Sequence, residues 1–72
     1  MNETLLIQAA ADVSSLAEKI DLLRRSAYGC IIMLNNMQSH QALTQYIDVK
    51  KLLRETQAMV DDLDRKISGE NQ

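Results

Sequence analysis

From Leu6 onward, apolar residues recur at alternating spacings of three and four: Leu6, Ala9, Val13, Leu16, Ile20, Leu23, Ala27, Cys30, Leu34 and Met37. This unbroken heptad repeat allows few folds, because only an α-helix brings such positions onto one stripe. Proline is absent, and the only glycines are Gly29 and Gly69, so little interrupts long helices. Asn2 or Thr4 is expected to cap the first helix, with Glu3 near the positive end of its dipole.

Ala10, Ala17 and Ile31 widen the stripe on one flank, while Asp12, Glu18, Lys19, Asp21 and Arg25 are placed away from it. A stripe this broad predicts a helix with two neighbours. Gly29 costs about 1 kcal/mol relative to alanine inside a helix, and is read as tolerated or as a site of close helix packing; a kink there is the alternative.

The polar stretch Asn35-Asn36 and Gln38-Ser-His-Gln41 weakens the pattern, which places a turn at about 36–41 after a first helix over about 3–36. Asn36 is expected to take the left-handed conformation that ends a helix, and Ser39 to cap the next. The second helix, about 42–67, carries Tyr46, Val49, Leu53, Thr56, Val60, Leu63 and Ile67 on its seam, widened by Leu52 and Met59. Residues 68–72 read as a helix stop and frayed tail. A short turn between two long helices makes them antiparallel, so the fold class is all-α: one two-helix hairpin, coiled-coil-like, whose two seams meet. The charged Asp48, Lys50, Lys51, Arg54, Glu55, Asp61, Asp62, Asp64 and Arg65 fill the other faces.

At 72 residues without Phe or Trp, such a hairpin has a marginal core and is expected to be completed by a partner or by dimerisation. The segment Ile31-Ile-Met-Leu34 is apolar all round the helix, inside a run from Ser26 to Ile47 that holds no Asp, Glu, Lys or Arg. That run reads as a contact surface. Ile31, Ile32, Met33, Met37, Tyr46, Leu52 and Met59 are the expected partner-binding residues.

No catalytic, cofactor or metal site is read from the sequence. Cys30 and His40 are ten residues apart with nothing to orient them together, and Cys30 on the seam reads as a small buried hydrophobe. One cysteine and one histidine fall short of a zinc site. Asp61, Asp62 and Asp64 project in different directions beside Arg65 and Lys66, which reads as a solvated face rather than a cation site. A formal charge of −2, from 8 basic and 10 acidic residues, gives no footprint for nucleic acid or anionic membrane. The N-terminus lacks the basic and apolar regions of a signal peptide, and the apolar run around Ile31 is too short to span a bilayer. The single cysteine fits a reducing compartment, so the expected location is the cytoplasm.

The segments Ser39-His-Gln-Ala-Leu-Thr-Gln-Tyr46 and Lys50-Lys-Leu-Leu-Arg-Glu-Thr-Gln-Ala-Met59 resemble the small two-helix co-chaperones of type III secretion needle subunits, in which a polar turn precedes a Gln-Tyr pair, here Gln45-Tyr46, and an amphipathic helix. The resemblance covers the second half and implies a cytoplasmic virulence-associated chaperone function in protein transport, with no chemistry of its own. Such a protein packs against a helical-repeat chaperone, and the pair keeps the needle subunit monomeric until export. The residues alone also allow a homodimeric four-helix bundle acting as a regulator that binds protein or, less favoured by its charge, nucleic acid.

Overall fold

The computed structural model describes residues 3–70. Two helices account for nearly all of them: α1, Glu3–Asn35, and α2, Ser39–Glu70. They run antiparallel along each other, in a molecule with principal extents of 52 × 16 × 11 Å. α1 continues through Gly29, and it includes Thr4, which is therefore not its cap; Asn2 lies outside the described residues.

The turn is shorter than the sequence implied, spanning only residues 36–38, and Met37 rather than Asn36 takes the left-handed conformation, with φ of 58°. The Gln38 amide donates to the Met33 carbonyl at 2.8 Å and the Met37 amide to the Leu34 carbonyl at 3.1 Å. These two bonds are the Schellman pattern, in which the residue after the helix cap must have positive φ. The bonding register, not residue preference, therefore selects Met37. Gln38 then starts the second helix by accepting from the Ala42 amide at 2.8 Å, which moves its start to Ser39 from the expected 42. At the other end α2 passes Ser68 and Gly69, where a stop was expected; the rest of that tail, Asn71 and Gln72, lies outside the described residues.

At every second position the seam between the helices is displaced by one residue from the repeat seen in the sequence. In α1 the less exposed positions are Leu5, Ala9, Asp12, Leu16, Lys19, Asp21, Leu23, Ser26, Ala27, Gly29, Cys30 and Met33. In α2 they are Ala42, Gln45, Val49, Leu52, Glu55, Thr56, Met59, Val60, Leu63 and Ile67. Ala9, Leu16, Leu23, Ala27, Cys30, Val49, Thr56, Val60, Leu63 and Ile67 are among the less exposed positions, as expected. Leu6, Val13, Ile20, Leu34, Tyr46 and Leu53, expected in the seam, are instead 48–58 % exposed.

The rotation has an electrostatic consequence. It brings three polar positions of α1 to partners on α2: Lys66 Nζ to Asp12 Oδ2 at 3.1 Å, Lys19 Nζ to Glu55 Oε1 at 3.5 Å, and the Ser26 hydroxyl, donating to Asp48 Oδ2 at 3.1 Å. Gln45 Nε2 donates to the Ser26 carbonyl at 3.4 Å, and the buried Thr56 hydroxyl donates to the Leu52 carbonyl at 2.7 Å. Among the described residues, every buried side-chain nitrogen or oxygen has a partner. The apolar core is correspondingly thin, since the only described hydrophobic residues classed as buried are Ala42 and Leu52.

Candidate functional site: an apolar side of the hairpin

In an antiparallel helix pair, the residue following every second seam position lies on the same side of the pair in both helices, and the residue preceding the alternate seam positions lies on the opposite side. On the first side α1 places Leu6, Val13, Ile20, Ala27 and Leu34, and α2 places Tyr46, Leu53, Val60 and Ile67. One position farther out come Ala10, Ala17, Arg24 and Ile31 on α1 and Leu43, Lys50, Gln57 and Asp64 on α2. Of the 14 large apolar side chains exposed among the described residues, Leu6, Val13, Ile20, Ile31, Leu34, Leu43, Tyr46 and Leu53 belong to this one side. Exposed apolar area is thus concentrated rather than scattered, and concentration of this kind marks an interaction surface.

The opposite side is polar. It carries Gln8, Ser15, Leu22 and Gly29 from α1 and Asp48, Glu55 and Asp62 from α2. The Lys19–Glu55 ion pair and the Ser26–Asp48 hydrogen bond close over the seam from here. Gly29 also looks this way: a β-carbon built on it would meet Gln45 Nε2 at 3.8 Å, an ordinary contact. Close approach of the helices therefore does not demand a glycine here.

Near the turn the apolar side opens into a groove of about 280 Å³ lined by Cys30, Leu34, Ser39, Ala42, Leu43 and Tyr46. Its wall chemistry is that of a socket for an aliphatic or aromatic side chain. The Cys30 thiol is half-buried at its base and donates to the Ala42 carbonyl at 3.5 Å, which fits its reading as a packed side chain. Lys50 Nζ stands 5.0 Å from the centre of the Tyr46 ring and fixes one rim of the groove by a cation–π contact.

Comparison of the chain with family models, curated proteins and solved structures returns no match.

The seven residues expected to bind a partner are divided by the fold. Ile31 and Tyr46 lie on the apolar side. Ile32 is exposed but points away from that side, and Met37 is in the turn, 89 % exposed. Met33 and Met59 are half-buried in the seam, and Leu52 is buried between the helices, so these three serve the hairpin itself. Leu6, Val13, Ile20, Leu34 and Leu53 are surface residues that the sequence reading assigned to the seam. The signal that could have found them is polar: Asp12, Lys19 and Ser26 recur every seven residues, one position before Val13, Ile20 and Ala27, opposite partners on the second helix.

Several of the remaining charged groups pair within their own helix. Hydrogen bonding from Arg25, supported by Arg24, holds the Asp21 carboxyl below the usual carboxylate range. Arg65 does the same for Asp62, with help from Lys66, while the hydrogen bond to Asp12 raises Lys66. Asp61 accepts from Gln57 at 3.0 Å. Among the described residues no three His, Cys, Asp or Glu side chains group as metal ligands would, and no helix is long and apolar enough to cross a membrane.

Proposed function

We propose that this protein is a non-catalytic helical interaction module whose task is to offer the Leu6–Leu34 and Tyr46–Ile67 side of the hairpin to helices of another protein. The observation that carries the reading is the two-sidedness itself: Asp12, Lys19 and Ser26 take part of the intramolecular seam, where they pair, while Leu6, Val13, Ile20, Leu34 and Leu53 are left together outside it. A hairpin needing only its own stability would use Val13 and Ile20 in its seam in place of Asp12 and Lys19, since each contributes roughly 1.5–3 kcal/mol when fully buried. An amphipathic element laid into a groove between helices is a recurrent mode of protein recognition.

Within that class, the resemblance of residues 39–59 to needle-subunit co-chaperones supports a cytoplasmic co-chaperone that packs against a helical-repeat chaperone and helps keep a type III secretion needle subunit from assembling before export. The apolar side supplies what such a role requires, a long hydrophobic face on a small carrier. Affinity capture with the tagged chain from its own cells, in parallel with a Leu53→Asp variant, tests the proposal. A helical-repeat protein retained by the parent and lost by the variant is the expected result. A partner held equally by both variants would place recognition elsewhere on the molecule.

A further inference from the structure

We infer that, in the absence of its partner, the apolar side is covered by a second copy of the same chain laid head to tail, giving an antiparallel four-helix bundle in which the turn of each hairpin lies over the helix ends of the other. The inference rests on the proposed role of that side as the contact surface and adds its resting occupant and orientation.

Area makes a second copy sufficient. The broad side of the hairpin, 52 × 16 Å, offers roughly 800 Å² in projection, about what each partner contributes to a stable interface of standard size. Two such sides, related by a two-fold axis, would bury each other's aliphatic residues in one step.

Charge fixes the orientation. Lys19 pairs with Glu55, so a cut between residues 19 and 20 and between 54 and 55 divides the hairpin crosswise into a turn half and an open half. The turn half, residues 20–54, carries five basic residues against two acidic ones, a net +3. The open half, residues 1–19 and 55–72, carries eight acidic residues against three basic ones, a net −5. Stacking turn over turn would set like-charged halves against each other. It would also bring Arg24, on the outer row of α1, to the level of Lys50 on the outer row of the other copy's α2. Stacking head to tail sets +3 over −5 at both ends, and complementarity of this kind selects register and orientation in association.

Head-to-tail stacking also makes a distance prediction. It runs α1 of one copy along α1 of the other in the opposite sense, which brings Leu34 near Leu6 of the second copy, whereas turn-over-turn stacking brings Leu34 near the other copy's Leu34. The experiment uses the full chain with Cys30→Ser, which keeps a donor to the Ala42 carbonyl. Leu6→Cys and Leu34→Cys are introduced separately, both at exposed positions, and circular dichroism confirms that each variant remains helical. Sedimentation at 100 µM gives the mass, and oxidation of each variant alone and of an equal mixture gives the orientation.

The expected outcome is a dimer that forms the Leu6→Cys/Leu34→Cys disulfide only in the mixture, with self-association weakened about tenfold or more on going from 50 mM to 1 M salt. A dimer that cross-links efficiently through Leu34→Cys alone overturns the orientation. A monomer, or an assembly larger than a dimer, overturns the second copy as occupant. Neither of those results touches the partner reading, which stands or falls on whether Leu53→Asp loses the captured protein.

Discussion

Leu52 and Leu53 are neighbours in sequence with opposite surroundings: Leu52 is 6 % exposed between the helices, and Leu53 is 56 % exposed on the apolar side. Their substitutions should therefore separate folding from association. Leu52→Ala is expected to cost about 2–4 kcal/mol, enough to melt a hairpin this small. Leu53→Asp should leave the helical signal of the individual hairpin in place and weaken association, because it sets a carboxylate into an interface that must exclude water. Circular dichroism melts and sedimentation on both variants check the pair; loss of helicity by Leu53→Asp at all concentrations would contradict it.

At the turn, Met37 adopts positive φ without the freedom of glycine, and its side chain is almost wholly in solvent. Met37→Gly should stabilise the chain by about 1 kcal/mol, since it relieves the left-handed penalty and deletes no packing. A rise in melting temperature is the readout, and a fall would mean that the methionine side chain packs on something outside the hairpin.

Gly29 makes the converse case, because it is helical, has room for a β-carbon, and faces the flexible Gln45 side chain. Gly29→Ala is expected to add about 0.5–1 kcal/mol of stability. The hydrogen bond from Gln45 to the Ser26 carbonyl should persist, and thermal melting of the variant gives the answer directly.

The pH profile follows from three exposed groups. The lowered Asp21 and Asp62 carboxyls stabilise the fold above the ordinary carboxylate pKa near 4, and their contribution is lost as pH falls through their depressed values. Lys66, raised by Asp12, contributes fully below the ordinary lysine value of about 10.4, and that contribution is lost as pH rises through its raised value. Melting temperature should be flat from about pH 5 to 9 and fall at both extremes. Lys66→Met should remove part of the alkaline fall. A melting temperature that climbs on acidification to pH 3 would contradict the scheme.

The architecture was legible because heptad spacing and the missing prolines restrict the chain to long helices, and because a short polar stretch leaves two helices no choice but to return antiparallel. The facing of those helices was not legible from hydrophobicity alone. The stripe on α1 is wider than one neighbour can cover, so Leu6, Val13, Ile20 and Leu34 compete with Leu5, Asp12, Lys19 and Met33 for the same seam. Lys66, Glu55 and Asp48 on the other helix decide that competition, and a periodicity read one helix at a time does not contain them. The turn escaped for a related reason: two backbone hydrogen bonds set the position of the left-handed residue, and a methionine accepts it although asparagine stands next to it.

The polar contacts along the seam also do something that leucines would not. An aliphatic stripe looks nearly the same after a slide of seven residues, so two greasy helices joined by a flexible link can mesh at several offsets. Asp12 opposite Lys66, Lys19 opposite Glu55 and Ser26 opposite Asp48 form a sequence of unlike marks along the hairpin, and a slide of one repeat would set Lys19 near Asp48 or Asp62 while leaving Ser26 and Asp12 without their partners. The seam thus works as a graduated scale. By holding α1 and α2 at one offset, it keeps Ala27 level with Tyr46 and Ile20 level with Leu53, so that the hairpin meets whatever covers it as one continuous strip rather than as two half-strips out of step.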